Sequence, residues 1–286
     1  MRTISPIVST NWLEKNLKDP KLIIIDIRLD EEYADGHIPN AINIPFPDAV
    51  ENPSSQWFIE RNGLLLEVPD EADLFVTIGS VGIKNDSPVI VVPKLGLPHP
   101  LVDATIVADI LMYAGVDNVA VLDGGYDKWE SEGKPVSFEH VDPIPVRYMG
   151  RINETMFVSK EYVLEKIGKA IIIDAREPIE YYGAYIRPLW IRAGHIPTAK
   201  CLPSLWIWNE EMIYRDPDEL REMIHGIAGT DMSQEIIIYC GIGGFSSAWY
   251  FVLKEVLGYK NVKIYHGSAQ EWTRDPETPL VSYRWE

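Results

Sequence analysis

Short, wholly apolar, β-branched runs recur along the chain: LIIIDIR (Leu22–Arg28), SPVIVV (Ser87–Val92), AIIIDAR (Ala170–Arg176) and EIIIYC (Glu235–Cys240). Each is bounded by turn residues and too short for a helix, which predicts strands buried on both faces. Between them, Ala104–Ala114 and Ser246–Leu257 carry apolar residues at helical spacing, and a further helix is predicted near Ser159–Ile167. Buried strands alternating with helices predict parallel sheets covered on both faces, an α/β class.

The pattern occurs twice, displaced by about 150 positions. DGHIPNAINIP (Asp35–Pro45) follows the first strand, and AGHIPTAKCLP (Ala193–Pro203) follows its counterpart. Further on, GVDNVAVLDGGYDKW (Gly115–Trp129) answers GYKNVKIYHGSAQEW (Gly258–Trp272). A duplication is implied, with one domain over 1–143, a proline-bearing linker over 144–156 and a second domain over 157–286. A length of 286 residues suits two cores.

Composition narrows the function. The net charge of −17 argues against nucleic acid and acidic membranes as partners. No apolar run approaches the ~20 residues of a membrane span. The N-terminal MRTISPIVST lacks a signal-peptide core, so a cytoplasmic location is expected. The two cysteines, Cys201 and Cys240, form no Cys-x-x-Cys, so neither a disulfide framework nor a metal is expected, and no cofactor is implied.

The duplication breaks at one informative place. The first half reads VIVVPKLGLPHP, with Pro93 where the second half, IIIYCGIGGFSS, has Cys240. Prolines remove N–H donors, whereas Gly241, Gly243 and Gly244 permit the positive φ angles that turn successive N–H groups toward one centre. With the N-terminus of the following helix, such a loop favours a thiolate and would hold a persulfide. The candidate site is therefore Cys240 with a cradle of Gly241, Ile242, Gly243, Gly244, Phe245 and Ser246. Ser246 and Ser247 are candidate helix caps. Cys201, between apolar residues, reads as an inert buried thiol. His37 and His195, repeated in Gly-His-Ile-Pro turns, read as structural, as do Asp26, Arg28, Asp174 and Arg176. Trp206, Trp208, Trp249 and Trp272 are expected in packing.

These features resemble the tandem rhodanese or sulfurtransferase family over nearly the whole chain. The carriers are the two Gly-His-Ile-Pro segments, the two Asp-x-Arg pairs, LDGGYDKW and the Cys240 loop. The resemblance implies two rhodanese domains, only the second of them catalytic. CGIGGFSS is similar to the Cys-Arg-Ile-Gly-Glu-Arg-Ser-Ser loop of a thiosulfate-sulfurtransferase branch at Cys240, Ile242, Gly243, Ser246 and Ser247. Gly241 and Phe245 replace that loop's two arginines and Gly244 its glutamate, and the Cys-Gly opening resembles the mercaptopyruvate branch instead. EYYGAYIRPLWIRAGHIP resembles a stretch that supplies carboxylate-binding arginines in the latter, which makes Arg192 and Arg187 candidate contacts for the substrate anion, although Glu180 stands where one is expected.

The activity implied is transfer of a sulfane sulfur from thiosulfate, through a Cys240 persulfide, to cyanide or a thiol. Two alternatives stand beside it: 3-mercaptopyruvate as donor, and a non-enzymatic rhodanese-fold module that binds sulfur or a partner. Phosphatase chemistry needs Arg five residues after the loop cysteine's neighbour, and position 246 is Ser. A dinucleotide fingerprint fails as well, lacking its third glycine.

Overall fold

A computed structural model of the chain describes residues 2–284. Its strands in chain order are β1 (Ile7–Val8), β2 (Ile23–Asp26), β3 (Ala41–Asn43), β4 (Ile59–Arg61), β5 (Leu64–Glu67), β6 (Val89–Val92), β7 (Val119–Leu122), β8 (Phe157–Val158), β9 (Ile171–Asp174), β10 (Lys200–Cys201), β11 (Glu235–Tyr239) and β12 (Asn261–Tyr265). Every residue of β6 and β7 is buried, as strands covered on both faces require.

Two five-stranded parallel sheets result, ordered β1-β7-β6-β2-β3 and β8-β12-β11-β9-β10. The second repeats the first strand for strand, and so do the cores. Leu13, Ile24, Ile38, Ala41 and Trp129 pack in one cluster, while Val163, Ile172, Ile196, Ala199 and Trp272 pack in the other. The α/β tandem architecture expected from the apolar runs is the one observed.

The chain divides into two compact units. One holds residues up to Ile59, Val68–Asn153 and Glu210–Tyr214; the other holds Glu60–Glu67, Glu154–Asn209 and residues from Arg215 onward. The two-stranded β4-β5 hairpin thus lies almost wholly in the second unit, though it comes from the first half of the chain. The stretch expected as a linker is strapped to the first unit up to Asn153. Val146 N–H donates to Gly79 O at 2.9 Å, buried Tyr148 donates its hydroxyl to Ala114 O at 2.9 Å, and Asn153 N–H reaches Tyr113 O at 2.8 Å.

Some helix limits differ from the periodicity. The helix expected from Ala104 begins at His99, because Pro98 caps it and Pro100 sits in its first turn, where a missing N–H costs nothing. The helix near Ser159 spans Lys160–Lys166, with the Ser159 hydroxyl accepting from Tyr162 N–H. Trp208, Trp249 and Trp272 are buried as expected, but Trp206 is half exposed.

The repeated polar residues form the same construction in each unit. Arg28 pairs with Asp26 at 2.7 Å and donates to Gly36 O at 2.8 Å; Arg176 pairs with Asp174 at 2.6 Å and donates to Gly194 O at 2.8 Å. His37 stacks on Tyr33 at 3.8 Å and His195 on Tyr181 at 3.7 Å, each with Nδ1 on the tyrosine's own carbonyl oxygen. The Gly-His-Ile-Pro turn is therefore a device that closes a buried ion pair against the backbone.

Buried tyrosines set an alkaline limit on stability. Burial, reinforced by Asp174, holds the Tyr239 phenol far above its ordinary range, and burial with Glu271 does the same at Tyr265. Burial pushes Tyr148 up to about 12, with Asp117 adding. An unfolded chain releases these protons near pH 10 and the folded one keeps them, so stability present below that pH falls as pH rises through it. The urea midpoint should drop steadily above about pH 10; a midpoint unchanged from pH 9 to about pH 11 would contradict the burial described.

Candidate active site

Buried β11 ends at Tyr239, and the next residue, Cys240, is only 1% exposed. The chain then turns through Gly241, Ile242 and Gly243 into the helix Gly244–Phe251. Gly243 is its N-cap at φ +101°, a conformation open to glycine and strained for other residues. The Gly243 N–H points at Cys240 Sγ, 3.2 Å away. Ser246 Oγ stands 3.7 Å from the same sulfur and lies 2.8 Å from Gly243 O, to which it donates.

The structure thus brings Cys240, Gly243 and Ser246 together around one sulfur, with the positive end of the helix dipole behind them. In the thiol form, the Cys240 proton can go to Ser246 Oγ; in the thiolate form, the Ser246 proton can swing from Gly243 O to the sulfur. Ile242 and Phe245 are the partly exposed members of the loop. Ser246 is not the helix cap, because the helix starts two residues earlier at Gly244; its hydroxyl instead bonds back to the capping residue.

Behind the cysteine, Ser268 anchors the backbone. Its Oγ accepts from Cys240 N–H at 3.2 Å and donates to Tyr265 O at 2.9 Å. Ser268 has φ +53°, and its counterpart Gly125 has φ +58°. A serine in a slot that the other repeat fills with glycine is the signal by which this residue could have been found. Ala269 N–H donates to Cys240 O at 3.0 Å, as Tyr126 N–H does to Pro93 O at 2.9 Å in the first unit. Pro93 therefore occupies the place of Cys240.

Trp190, missed in the sequence, explains one loop residue. A Cβ on Gly241 would lie 2.7 and 2.8 Å from Trp190 Cζ3 and Cη2. The indole fills the space that any side chain at position 241 would enter. Trp190 also lies under the Arg176 guanidinium, 5.7 Å from ring centroid to Cζ, so the buried ion pair supports the loop through one aromatic ring. Gly241→Ala should force the loop or the indole aside and cost about 1–3 kcal/mol. Urea unfolding measures it, and a cost near zero would mean that Trp190 does not wall the loop.

The two arginines expected at the substrate anion are engaged elsewhere. Arg187 pairs through Nε with Glu180 at 2.9 Å. Arg192 donates to the carbonyls of Thr273 and Thr278 at 2.9 Å each and Trp272 at 3.0 Å, and also to Asp275 O. It clamps the 272–278 turn, a role invisible in a motif because all its partners lie 80 or more positions away. Cys201 has no such cradle among the described residues, its sulfur facing only Arg176 O at 3.9 Å. Burial pushes its thiol up to about 12, with Asp174 and Glu177 adding to the effect.

Comparison with known proteins bears on this geometry. The Rhodanese-like domain family matches residues 9–132 and 159–275. The "Putative thiosulfate sulfurtransferase" of Mycolicibacterium smegmatis is 32% identical over 274 residues, covering 93% of this chain and 94% of its own. The "Sulfur carrier protein TtuD" of Thermus thermophilus is 32% identical over 290 residues, covering 96% of each chain. Among solved structures, an EanB variant in complex with ergothioneine superimposes with TM-score 0.80 at 21% identity, covering 98% of this chain and 71% of that one. The anaerobic ergothioneine biosynthesis enzyme from Chlorobium limicola does so with TM-score 0.77 at 23% identity, covering 97% and 70%. At these identities the structural likeness speaks to the fold alone.

Proposed function

Because the chain belongs to the Rhodanese-like domain family, with the domain present in two tandem copies, we propose that it is a sulfurtransferase whose Cys240 carries sulfur as a persulfide. The observation that carries this reading is the Gly243 N–H held 3.2 Å from Cys240 Sγ at the end of β11, in the one repeat that has a cysteine there. Thiosulfate is the first donor, in keeping with the name of the mycobacterial relative.

The reaction is a double displacement. The Cys240 thiolate attacks the outer sulfur of thiosulfate; a Cys–S–S bond forms, the donor's S–S bond breaks, and its electron pair leaves on sulfite. Cyanide or a thiolate then attacks the terminal sulfur of the persulfide and regenerates the Cys240 thiolate. No net proton is needed with cyanide, and no external oxidant is consumed. Gly243 N–H, the Ser246 hydroxyl and the helix terminus face the negative charge, which sits on Sγ in the thiolate, moves to the terminal sulfur in the persulfide and returns to Sγ when that sulfur is handed on. With Arg187 bound to Glu180 and Arg192 to the 272–278 carbonyls, the proposal assigns the anion to the loop's backbone donors.

A second reading, a sulfur carrier that loads Cys240 and hands the sulfur to another protein, is favoured by the name of the Thermus thermophilus relative. One experiment tests both readings: intact-protein mass after incubation with thiosulfate, and separately with 3-mercaptopyruvate. One added sulfur that disappears with cyanide is expected. A cyanide-labile adduct that loads once with little steady-state thiocyanate release favours the carrier, and no adduct with either donor sinks the sulfurtransferase.

A further inference from the structure

We propose that His266, pinned by the Leu65–Leu66 end of the β4-β5 hairpin, is a positioning residue that holds Gly243 so that its N–H meets Cys240 Sγ. The inference rests on reading Cys240 as the sulfur-carrying nucleophile.

Glycine has no side chain to restrain it, so a glycine that must aim its N–H needs a wall outside itself. His266 supplies that wall. Its ring lies so close to Gly243 that a Cβ there would stand 3.3 Å from both Nδ1 and Cε1, and 3.2 Å from the His266 carbonyl oxygen. The opposite ring nitrogen, Nε2, is 2.6 Å from Leu66 O. A carbonyl only accepts, so Nε2 carries the proton and, in the neutral ring, Nδ1 presents a bare lone pair toward the loop. Nδ1 is buried and has no hydrogen-bond partner among the described residues. Phe157 meets the ring edge-on at 4.8 Å, which fixes its remaining side.

The hairpin that grips His266 is itself held in a conformation its residues do not choose. Leu66 has φ +61°, which a leucine keeps only where its surroundings fix it. Here Gln270 does so: its Oε1 accepts from Leu65 N–H at 2.9 Å and its Nε2 donates to Leu65 O at 3.0 Å. The same Gln270 donates its backbone N–H to Gly241 O at 2.9 Å. Two residues that hold the hairpin, Gln270 and His266, therefore also touch the two glycines flanking Ile242 in the Cys240 loop.

The first repeat separates grip from function. At the position of His266 it has Asp123, whose Oδ1 accepts from Tyr214 N–H at 3.0 Å, an equivalent grip of opposite polarity. There the neighbouring loop begins with Pro93 and carries no nucleophile. Gripping a segment is common to both repeats, and a histidine ring against the nucleophile's own donor belongs to the second alone.

The test uses the full chain and needs no sulfur donor: the rate at which iodoacetamide alkylates Cys240, followed by peptide mass, with Cys201 as internal reference. Direct loss of one donor in a preorganised anion site costs about 10²–10³ in rate, so a residue acting through that donor should cost about tenfold. His266→Ala is expected to slow Cys240 by about that factor and leave Cys201 unchanged. His266→Gln, whose amide can donate to Leu66 O, is expected to recover most of the rate.

Cys240 labelling in His266→Ala within about twofold of the parent overturns the role. So does faster labelling of Cys201, which would report general loosening. Should the alanine chain fail to fold, Gln is compared with His266→Phe, which fills the space but cannot donate; Phe faster than Gln overturns the proposal. Alkylation effects as expected, with no sulfur adduct from any donor, would instead count against the sulfurtransferase reading alone.

Discussion

Cys240→Ser should abolish sulfur loading, while Cys201→Ser leaves most of it intact. The two thiols belong to the same unit and differ in their surroundings. Cys240 Sγ receives the Gly243 N–H and stands beside Ser246 Oγ at the head of a helix. Cys201 lies in β10, its sulfur 3.9 Å from Arg176 O, with burial and two neighbouring carboxylates pushing its thiol up to about 12. A thiol held that high is scarcely ionised near neutral pH, and the thiolate is the nucleophile. Serine at 240 keeps the shape of the loop and removes the polarisable sulfur on which a persulfide must form. Intact-protein mass after thiosulfate, and thiocyanate release with cyanide, read the difference. Equal loss in the two variants would sink the assignment of Cys240.

Asp174→Asn should destabilise the second unit by about 3–5 kcal/mol, the cost of leaving one partner of a buried ion pair uncompensated. Burial alone would lower the proton affinity of Arg176, but the Asp174 carboxylate overrides it and raises it further, so the guanidinium stays charged. Asparagine removes that compensation. It also removes the carboxylate that accepts from Tyr239 at 2.7 Å. The effect should reach the site, because Arg176 lies over Trp190 and Trp190 walls Gly241. Asp26→Asn should cost the first unit a similar amount and leave sulfur loading far less affected, since the loop at Pro93 has no nucleophile. Urea unfolding with separate probes for the two units, beside the loading rate, checks both. A loss below about 1 kcal/mol in Asp174→Asn would show the pair to be dispensable.

Much of this is legible in the sequence alone. Apolar runs such as Ile23–Asp26 and Ile236–Tyr239 can only be strands covered on both faces, and the near-identical Gly-His-Ile-Pro segments announced the duplication. Cys240 stood out because its repeat partner is Pro93. What was hidden lies in contacts that no local pattern encodes. His266 meets Leu66 across 200 positions, and Gln270 meets Leu65 across 205. Nothing in the sequence singles out Trp190, whose indole leaves no room for a side chain at position 241. Arg192 looks like an anion ligand in a motif, and only the return of the 272–278 turn reveals which carbonyls claim it. The serines after the loop look like caps because the helix boundary depends on Gly243 adopting a positive φ.

The β4-β5 hairpin has a further consequence when set beside the segment Glu210–Tyr214. Both come just before a Pro-Asp-Glu that opens a helix, Glu71–Ser80 in one repeat and Pro217–Ala228 in the other. They are the same part of the repeat, and each is counted in the unit built mainly from the other half. The duplication is therefore also a reciprocal loan. A fragment cut between Asn153 and Glu154 would take with it one borrowed segment's lender and leave its borrower incomplete, on both sides of the cut. Two separated halves would have to find each other to be whole, whereas a single polypeptide keeps each lent piece at the high local concentration that tethering provides.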